Sequence, residues 1–255
     1  MEAQIEVLEK TYKDKKIRDL TEIANNDHQI VGWKVDTQED FMNDGSRNDY
    51  KGKLAIKDAL KIAGTIAKVE RTLRMYQVPI LGSMDWHGVD SHEFPEEGNN
   101  PDFSQTYPAH CVAGTYGSNF IKEAAPRNPL FIEHDKNYNL EELTEKIVNH
   151  EGEVIFRKDA FDVFSSKGNK YAKDIVRNLD VKSAFVYGVA LEVCNDFAVK
   201  GLLEEGIEVY AISDAMKAIN EDVRESVFDT WKELGASIIT SDDLYSVLNH
   251  TRSSK

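Results

Sequence analysis

Three residues able to cooperate in covalent catalysis lie far apart in the chain: Asp36, Lys158 and Cys194. A thiolate is the competent sulfur nucleophile, and a neighbouring ammonium favours it by charge. A carboxylate in reach accepts the thiol proton and later returns it to a leaving amine. Cys194 closes the stretch SAFVYGVALEVC, Ser183 to Cys194. Its apolar run Ala184-Phe185-Val186-Tyr187 reads as a strand buried on both faces, broken at Gly188. A helix is predicted from Asn195 to Glu205, so Cys194 stands at a strand-to-helix turn. Outward-pointing N–H groups and the helix dipole are expected to lower its thiol pKa there. The ordinary alternatives are a cysteine packed as a small hydrophobe, an aspartate closing a turn and one more surface lysine. Joint placement has to decide between the two sets.

A second group of reactive side chains falls in one long loop. Asp85-Trp86-His87 puts a carboxylate and an imidazole two residues apart, on one side of an extended chain. His110 follows in Tyr107-Pro108-Ala109-His110-Cys111. One Asp and two His with open positions suit a divalent ion, Zn or else Fe or Mn. A solvated loop histidine is the competing reading. The sequence leaves open whether His92 or Glu93 joins this group.

The elements that must position these residues alternate regularly. Apolar runs are predicted as strands at Ile30 to Val35, Val78 to Met84, Leu130 to Glu133, Val154 to Phe156, Ser183 to Val189, Glu208 to Ile212 and Ser237 to Thr240. Amphipathic patterns predict helices at Lys53 to Tyr76, Leu140 to His150, Asn169 to Leu179, Asn195 to Glu205, Glu221 to Leu234 and Asp242 to Asn249. Such alternation argues for an α/β fold with a mostly parallel sheet covered by helices. Ligands of these folds bind beyond the carboxyl ends of the strands. Asp36, Asp85, Lys158 and the turn of Cys194 each fall at such an end. The stretch from Trp86 to Asn128 has little periodicity, and loops of that length are usually functional. Residues 1–29 read as a charge-rich N-terminal helical extension, and 30–255 as one domain.

The chain of 255 residues carries a formal charge of −14, with 30% charged and 41% hydrophobic residues. Nucleic acid and anionic membrane surfaces are poor partners for that balance. The start, MEAQIEVLEK, has no apolar core of a signal peptide, and no run approaches a bilayer span. A cytoplasmic location with both thiols, Cys111 and Cys194, reduced is expected.

Five ordered segments resemble the nicotinamidase/pyrazinamidase branch of the isochorismatase-like cysteine hydrolases. VDTQEDF (Val35 to Phe41) is similar to the D-x-Q-x-D-F motif, and SMDWH (Ser83 to His87) to the D-x-H metal motif. YPAHCVAGTYG (Tyr107 to Gly117) resembles W-P-x-H-C-V-x-G-T-x-G, FRKDAFDVFS (Phe156 to Ser165) the lysine strand, and YGVALEVC (Tyr187 to Cys194) the nucleophile segment. The resemblance implies Asp36, Lys158 and Cys194 as a catalytic triad. It implies Asp85, His87 and His110 as ligands of one divalent metal ion. A non-proline cis peptide at Val189-Ala190 is implied too, with the N–H groups of Ala190 and Cys194 as an oxyanion hole. Phe41, Trp86, Tyr107 and Val189 are implied as substrate-binding residues, and Cys111 as structural. The implied fold is three-layer αβα with a six-stranded parallel sheet. The implied reaction is hydrolysis of nicotinamide to nicotinate and ammonia through a thioester, in NAD salvage, by a homo-oligomer acting on a small-molecule amide. Ala190-Leu191-Glu192-Val193-Cys194-Asn195 departs from the frequent A-T-D-x-C-V, and Tyr107 stands where Trp is usual. Those departures bear on the amide chosen. The alternatives are another cysteine amidase of the superfamily, acting on a different carboxamide or a carbamoyl group, and a non-catalytic binding protein.

Overall fold

The computed structural model describes residues 30–253; the expected extension over residues 1–29 lies outside the described residues. The strands are β1 (Ile30–Val35), β2 (Ile80–Asp85), β3 (Leu130–Ile132), β4 (Val154–Lys158), β5 (Ser183–Val189), β6 (Glu208–Lys217) and β7 (Ser237–Ile239). They form one sheet in the order β3-β4-β2-β1-β5-β6-β7, every pair parallel. The sheet therefore has seven strands among the described residues, where six were expected. Each of the edge strands β3 and β7 pairs with a single neighbour along its short length.

Side-chain alternation divides the core between the two faces of the sheet. Val31, Trp33 and Val35 of β1 and Ala184 and Val186 of β5 point to one face. There they meet the helices Leu140–Val148, Ala172–Asn178, Asp196–Glu204 and Arg224–Glu233. Phe185, Tyr187 and Val189 point to the other face, under the helices Ala63–Met75 and Ser241–Ser253. Trp33 is fully buried and stacks between Phe156 and Phe164, with ring centroids 5.8 and 5.2 Å away. Each apolar side chain buried this way contributes about 1.5–3 kcal/mol.

Three departures from the expected elements shape the functional rim. The first is that helix does not begin at Lys53: a 3-10 turn spans Ala59–Ile62 and the α-helix starts at Ala63. The backbone before it bonds elsewhere. Gly52 N donates to Asn43 O, Leu54 N to Asp40 O and Ile56 N to Phe41 O, which docks residues 52–56 on the short helix Glu39–Met42. A Cβ on Gly52 would come within 2.3 Å of Asp40 O, so only glycine allows that approach.

The second departure is in β4, which continues to Lys158, so that this lysine is the last residue of a strand. The third is in β6, which runs on to Lys217 past a register shift opposite Val186 and Gly188. Gly188 has φ +127°, and a Cβ there would meet Val35 O at 2.0 Å. That closeness keeps the ends of β1 and β5 together. The chain leaves β1 for β2 on one side and later takes up β5 on the other, which creates a crevice outside their carboxyl ends.

Candidate active site

β4, β2, β1 and β5 are consecutive in the sheet, so their carboxyl ends form one rim. Asp85 lies opposite Lys158 in the register of β2 and β4. Asp36 is the first residue after β1, with φ +45°. Cys194 follows β5 in a single π-helical turn, Leu191–Asn195, that leads into the helix Asp196–Glu204. The peptide Val189-Ala190 is cis.

The structure brings Asp36, Lys158 and Cys194 together. Lys158 Nζ lies 2.9 Å from Asp36 Oδ2 and 3.7 Å from Cys194 Sγ, and it also bonds Asp85 Oδ1. Ser83 Oγ donates to Asp36 Oδ1 at 2.7 Å. Asp36 is fully buried, and Lys158 and Cys194 are nearly so.

Burial raises the Cys194 thiol well above its ordinary value, and Lys158 offsets only part of that rise. This corrects the expected lowering: desolvation at the foot of the crevice outweighs the ammonium and the helix end. Burial also raises the Asp36 carboxyl, with Lys158 pulling against it and Asp85 adding to it. Burial opposes the charge on Lys158, but Asp36 and Asp85 outweigh it and hold the ammonium protonated. Asp85 stays well below the carboxylate range, because Lys158, His110 and His87 overcome its burial. The result is a protonated thiol beside a locked ammonium and a carboxyl whose basicity is increased.

Asp85, His87 and His110 also converge, with donor atoms within 4.8 Å of one another. His87 Nε2 and His110 Nε2 lie 3.6 and 3.7 Å from Asp85 Oδ2. Glu93 Oε2 lies 3.9 Å from both imidazole nitrogens. All of these atoms are buried without a hydrogen-bond partner. Buried polar atoms are seldom left orphaned, and a shared divalent cation would satisfy this set. The residues thus fit the implied metal ion. His92 is half-exposed and faces Asp159 instead.

The supporting residues carried no role in the sequence reading. Asp159 Oδ1 holds His87 Nδ1 at 2.5 Å and also accepts from Ser91 Oγ. Pro108 O holds His110 Nδ1 at 2.8 Å. Both rings therefore turn Nε2 inward, as ligand histidines do when the other nitrogen is bonded. Burial works against a charged His87, but Asp159 and Asp85 prevail and raise it to about 9. Phe94 packs on both imidazoles, at 5.3 and 5.6 Å. Gln38 and Asp40, inside the VDTQEDF motif, brace the long loop. Gln38 bonds Asp85 and Ser118, and Asp40 Oδ2 accepts the Cys111 N–H. Cys111 is buried, with its sulfur turned to Gly117 O.

A cavity of about 690 Å³ opens onto Cys194, Asp85 and His110. Phe41, Tyr107 and Ala190 line it, joined by Phe103, Phe161 and Val193. Two expected wall residues do not line it. Trp86 is covered by the Arg157 guanidinium 3.6 Å from its ring, and Val189 is wholly buried in the core under the sheet. The alternation of β5 turns Val189 inward, and the strand direction at Asp85 turns Trp86 away from the crevice.

The fold and the site define a parallel α/β protein with a buried thiol, ammonium and carboxylate beside a cluster of metal-binding type. Residues 133–243 match the family described as the Isochorismatase domain. A stretch of 59 residues is 36% identical to "Probable hydrolase YcaC" of Escherichia coli (strain K12), and it spans 23% of this chain and 28% of that protein. The fold is similar to that of a zinc-bound pyrazinamidase of Pyrococcus horikoshii: TM-score 0.61 and 24% identity over 83% of this chain and 99% of that one. It is similar as well to the nicotinamidase/pyrazinamidase PncA of Bacillus subtilis, with TM-score 0.63 and 16% identity over 83% and 99%. N-carbamoylsarcosine amidase of Thermoplasma acidophilum matches at TM-score 0.58 and 20% identity over 84% and 97%. The chain has the isochorismatase-like hydrolase fold. Among the described residues no helix is long and apolar enough to cross a membrane.

Proposed function

We propose that this protein is a cysteine amidohydrolase that converts nicotinamide to nicotinate and ammonia. The observation that carries the reading is Lys158 Nζ set between Asp36 Oδ2 and Cys194 Sγ, at the foot of a cavity that also reaches Asp85 and His110. Cys194 Sγ attacks the carboxamide carbon while Asp36 takes the thiol proton. The protonated Lys158 stabilises thiolate and carboxylate as charge moves between them. The N–H groups of Ala190 and Cys194 receive the carbonyl oxygen as it becomes anionic. Asp36 then gives its proton to the departing nitrogen, which leaves as ammonia, and a thioester to Cys194 remains. A water entering from the cavity loses a proton to Asp36 and attacks that thioester, releasing the carboxylic acid and restoring the thiol.

Asp85, His87 and His110, with Glu93 beside them, would hold a divalent ion, Zn or else Fe or Mn. The chemistry such an ion supplies is Lewis-acid binding of the substrate's ring nitrogen, which orients the carboxamide toward Cys194. The protein's own walls do the rest of the positioning. Phe41 and Tyr107 both line the cavity and are suited to a flat ring. Both cysteines are free, which accords with a cytoplasmic setting.

Ammonia release from nicotinamide, with and without chelator, tests the reading. Turnover that Cys194→Ala abolishes while the circular dichroism spectrum stays unchanged is the expected result. Full turnover in that variant would exclude the mechanism.

A further inference from the structure

The cavity has an outer part that a single-ring amide leaves empty. At about 690 Å³ it falls among pockets that take ligands of drug size. Its inner end is the thiol and the Asp85/His110 cluster. Its outer wall is made by Lys51, Lys53 and Lys57 and by Phe103 and Ile219.

The lysine strip is a constructed feature. Its backbone is fastened to the helix Glu39–Met42 by the hydrogen bonds of Gly52, Leu54 and Ile56 already described. Lys53 N also donates to the buried carboxylate of Asp40. The fastening prevents the strip from continuing as helix and leaves all three lysines in the cavity wall. They are exposed, and among the described residues none of their ammonium groups forms an ion pair.

The charge balance of the lining is unusual for this chain. The whole sequence carries −14, yet among the described lining residues the only acid is Asp85, which is tied to Lys158. The same cavity is lined by aromatic rings, in which Phe103, Tyr107 and Phe161 follow one another edge to face. Phe103 is 64% exposed and is held out with φ +57°. The loop carrying it is fixed by Asp102, whose carboxylate accepts from the N–H groups of Ser104, Gln105 and Thr106.

We infer that the site also takes, in preference to nicotinamide itself, flat carboxamides that bear an anionic group on the far side, with Lys51, Lys53 and Lys57 receiving that anion. The inference rests on the amidase reading and extends its substrate class. A neutral single-ring amide engages the inner end only.

The test compares two pyridine-3-carboxamides that carry the same short ring-attached chain, one ending in carboxylate and one in alcohol. In low salt the ratio of kcat/KM, carboxylate over alcohol, is expected to reach about tenfold, the sum of several exposed charge contacts. The ratio should fall toward one in 0.5 M salt and in the triple variant Lys51→Ala/Lys53→Ala/Lys57→Ala, through KM and not kcat. Binding of both compounds to Cys194→Ala by calorimetry supplies a readout independent of turnover. If neither compound releases ammonia but the carboxylate still binds tighter through the lysines, the amidase reading fails and the anion site stands. A ratio of one or less in the unaltered protein, in turnover and in binding, overturns the anion site, as does a ratio that the triple variant does not change.

Discussion

Gln38 clasps Asp85 with both ends of its amide: Oε1 accepts the Asp85 N–H and Nε2 donates to the Asp85 carbonyl, each at 2.8 Å. The same Nε2 donates to Ser118 O at 3.0 Å. One side chain thus joins the end of β2, which presents a carboxylate, to the far part of the loop that delivers His110. Gln38→Ala is expected to weaken divalent-ion affinity by about 10–100-fold, the usual loss when the support of a ligand is removed. Competition with a chromophoric chelator measures it. Unchanged affinity would show that the loop holds Asp85 without Gln38.

Glu93 and His92 separate cleanly. Glu93 Oε2 is buried, unpartnered and aimed at both imidazoles, whereas His92 is half-exposed. Glu93→Gln should lower the affinity for a divalent ion, and His92→Ala should leave it within about twofold, in line with the small effects of exposed charges. His87→Ala/His110→Ala should remove the bound ion entirely. Elemental analysis of purified protein reads all three; an ion retained by the double variant would mean that the ligands lie elsewhere.

Asp36 has to be ionised to accept the thiol proton. Its carboxyl is raised above the ordinary 3.8, first by burial. The acid limb of kcat/KM should therefore sit at a higher pH than an ordinary carboxylate sets, with activity lost as pH falls through the raised value. Asp36→Asn should lower kcat by about 10²–10⁴-fold and erase that limb. An acid limb that persists in Asp36→Asn would assign it to another group.

Lys34 tests what holds the sheet beneath the site. It is wholly buried, with Nζ 3.0 Å from Glu70 and 2.9 Å from Glu153, and Arg74 closes the group from the surface. Removing one partner leaves buried charge uncompensated, so Lys34→Met should cost about 3–5 kcal/mol in urea unfolding. Burial pushes the Glu153 carboxyl up, but Lys34 and Arg74 bring it below its ordinary 4.5. Its contribution is therefore complete above pH 4.5 and fades as pH falls through the lower folded value. A Lys34→Met protein as stable as the parent would mean that the group is repacked without penalty.

The strand runs of β1, β2, β5 and β6 and the order of reactive residues along them were legible in the sequence. Local chemistry writes both: short, mostly apolar runs mark strands buried on both faces, and Asp36, Asp85 and Lys158 sit at or next to strand ends. The metal-type trio was legible for the same reason, since Asp85 and His87 share one side of an extended chain. Tertiary structure alone decided the rest. The strand at Leu130–Ile132 is an edge strand only because β4 lies next to it. The segment 52–56 follows a helical pattern in sequence but bonds to Glu39–Met42, because long-range acceptors there satisfy its N–H groups better than its own chain does. Trp86 stands between Asp85 and His87, and Val189 next to Ala190, yet neither lines the cavity: Arg157 covers Trp86, and Val189 packs into the core. The direction of the Cys194 shift also had to come from packing: a local sequence shows the helix end beside a thiol, while desolvation depends on everything that closes over it.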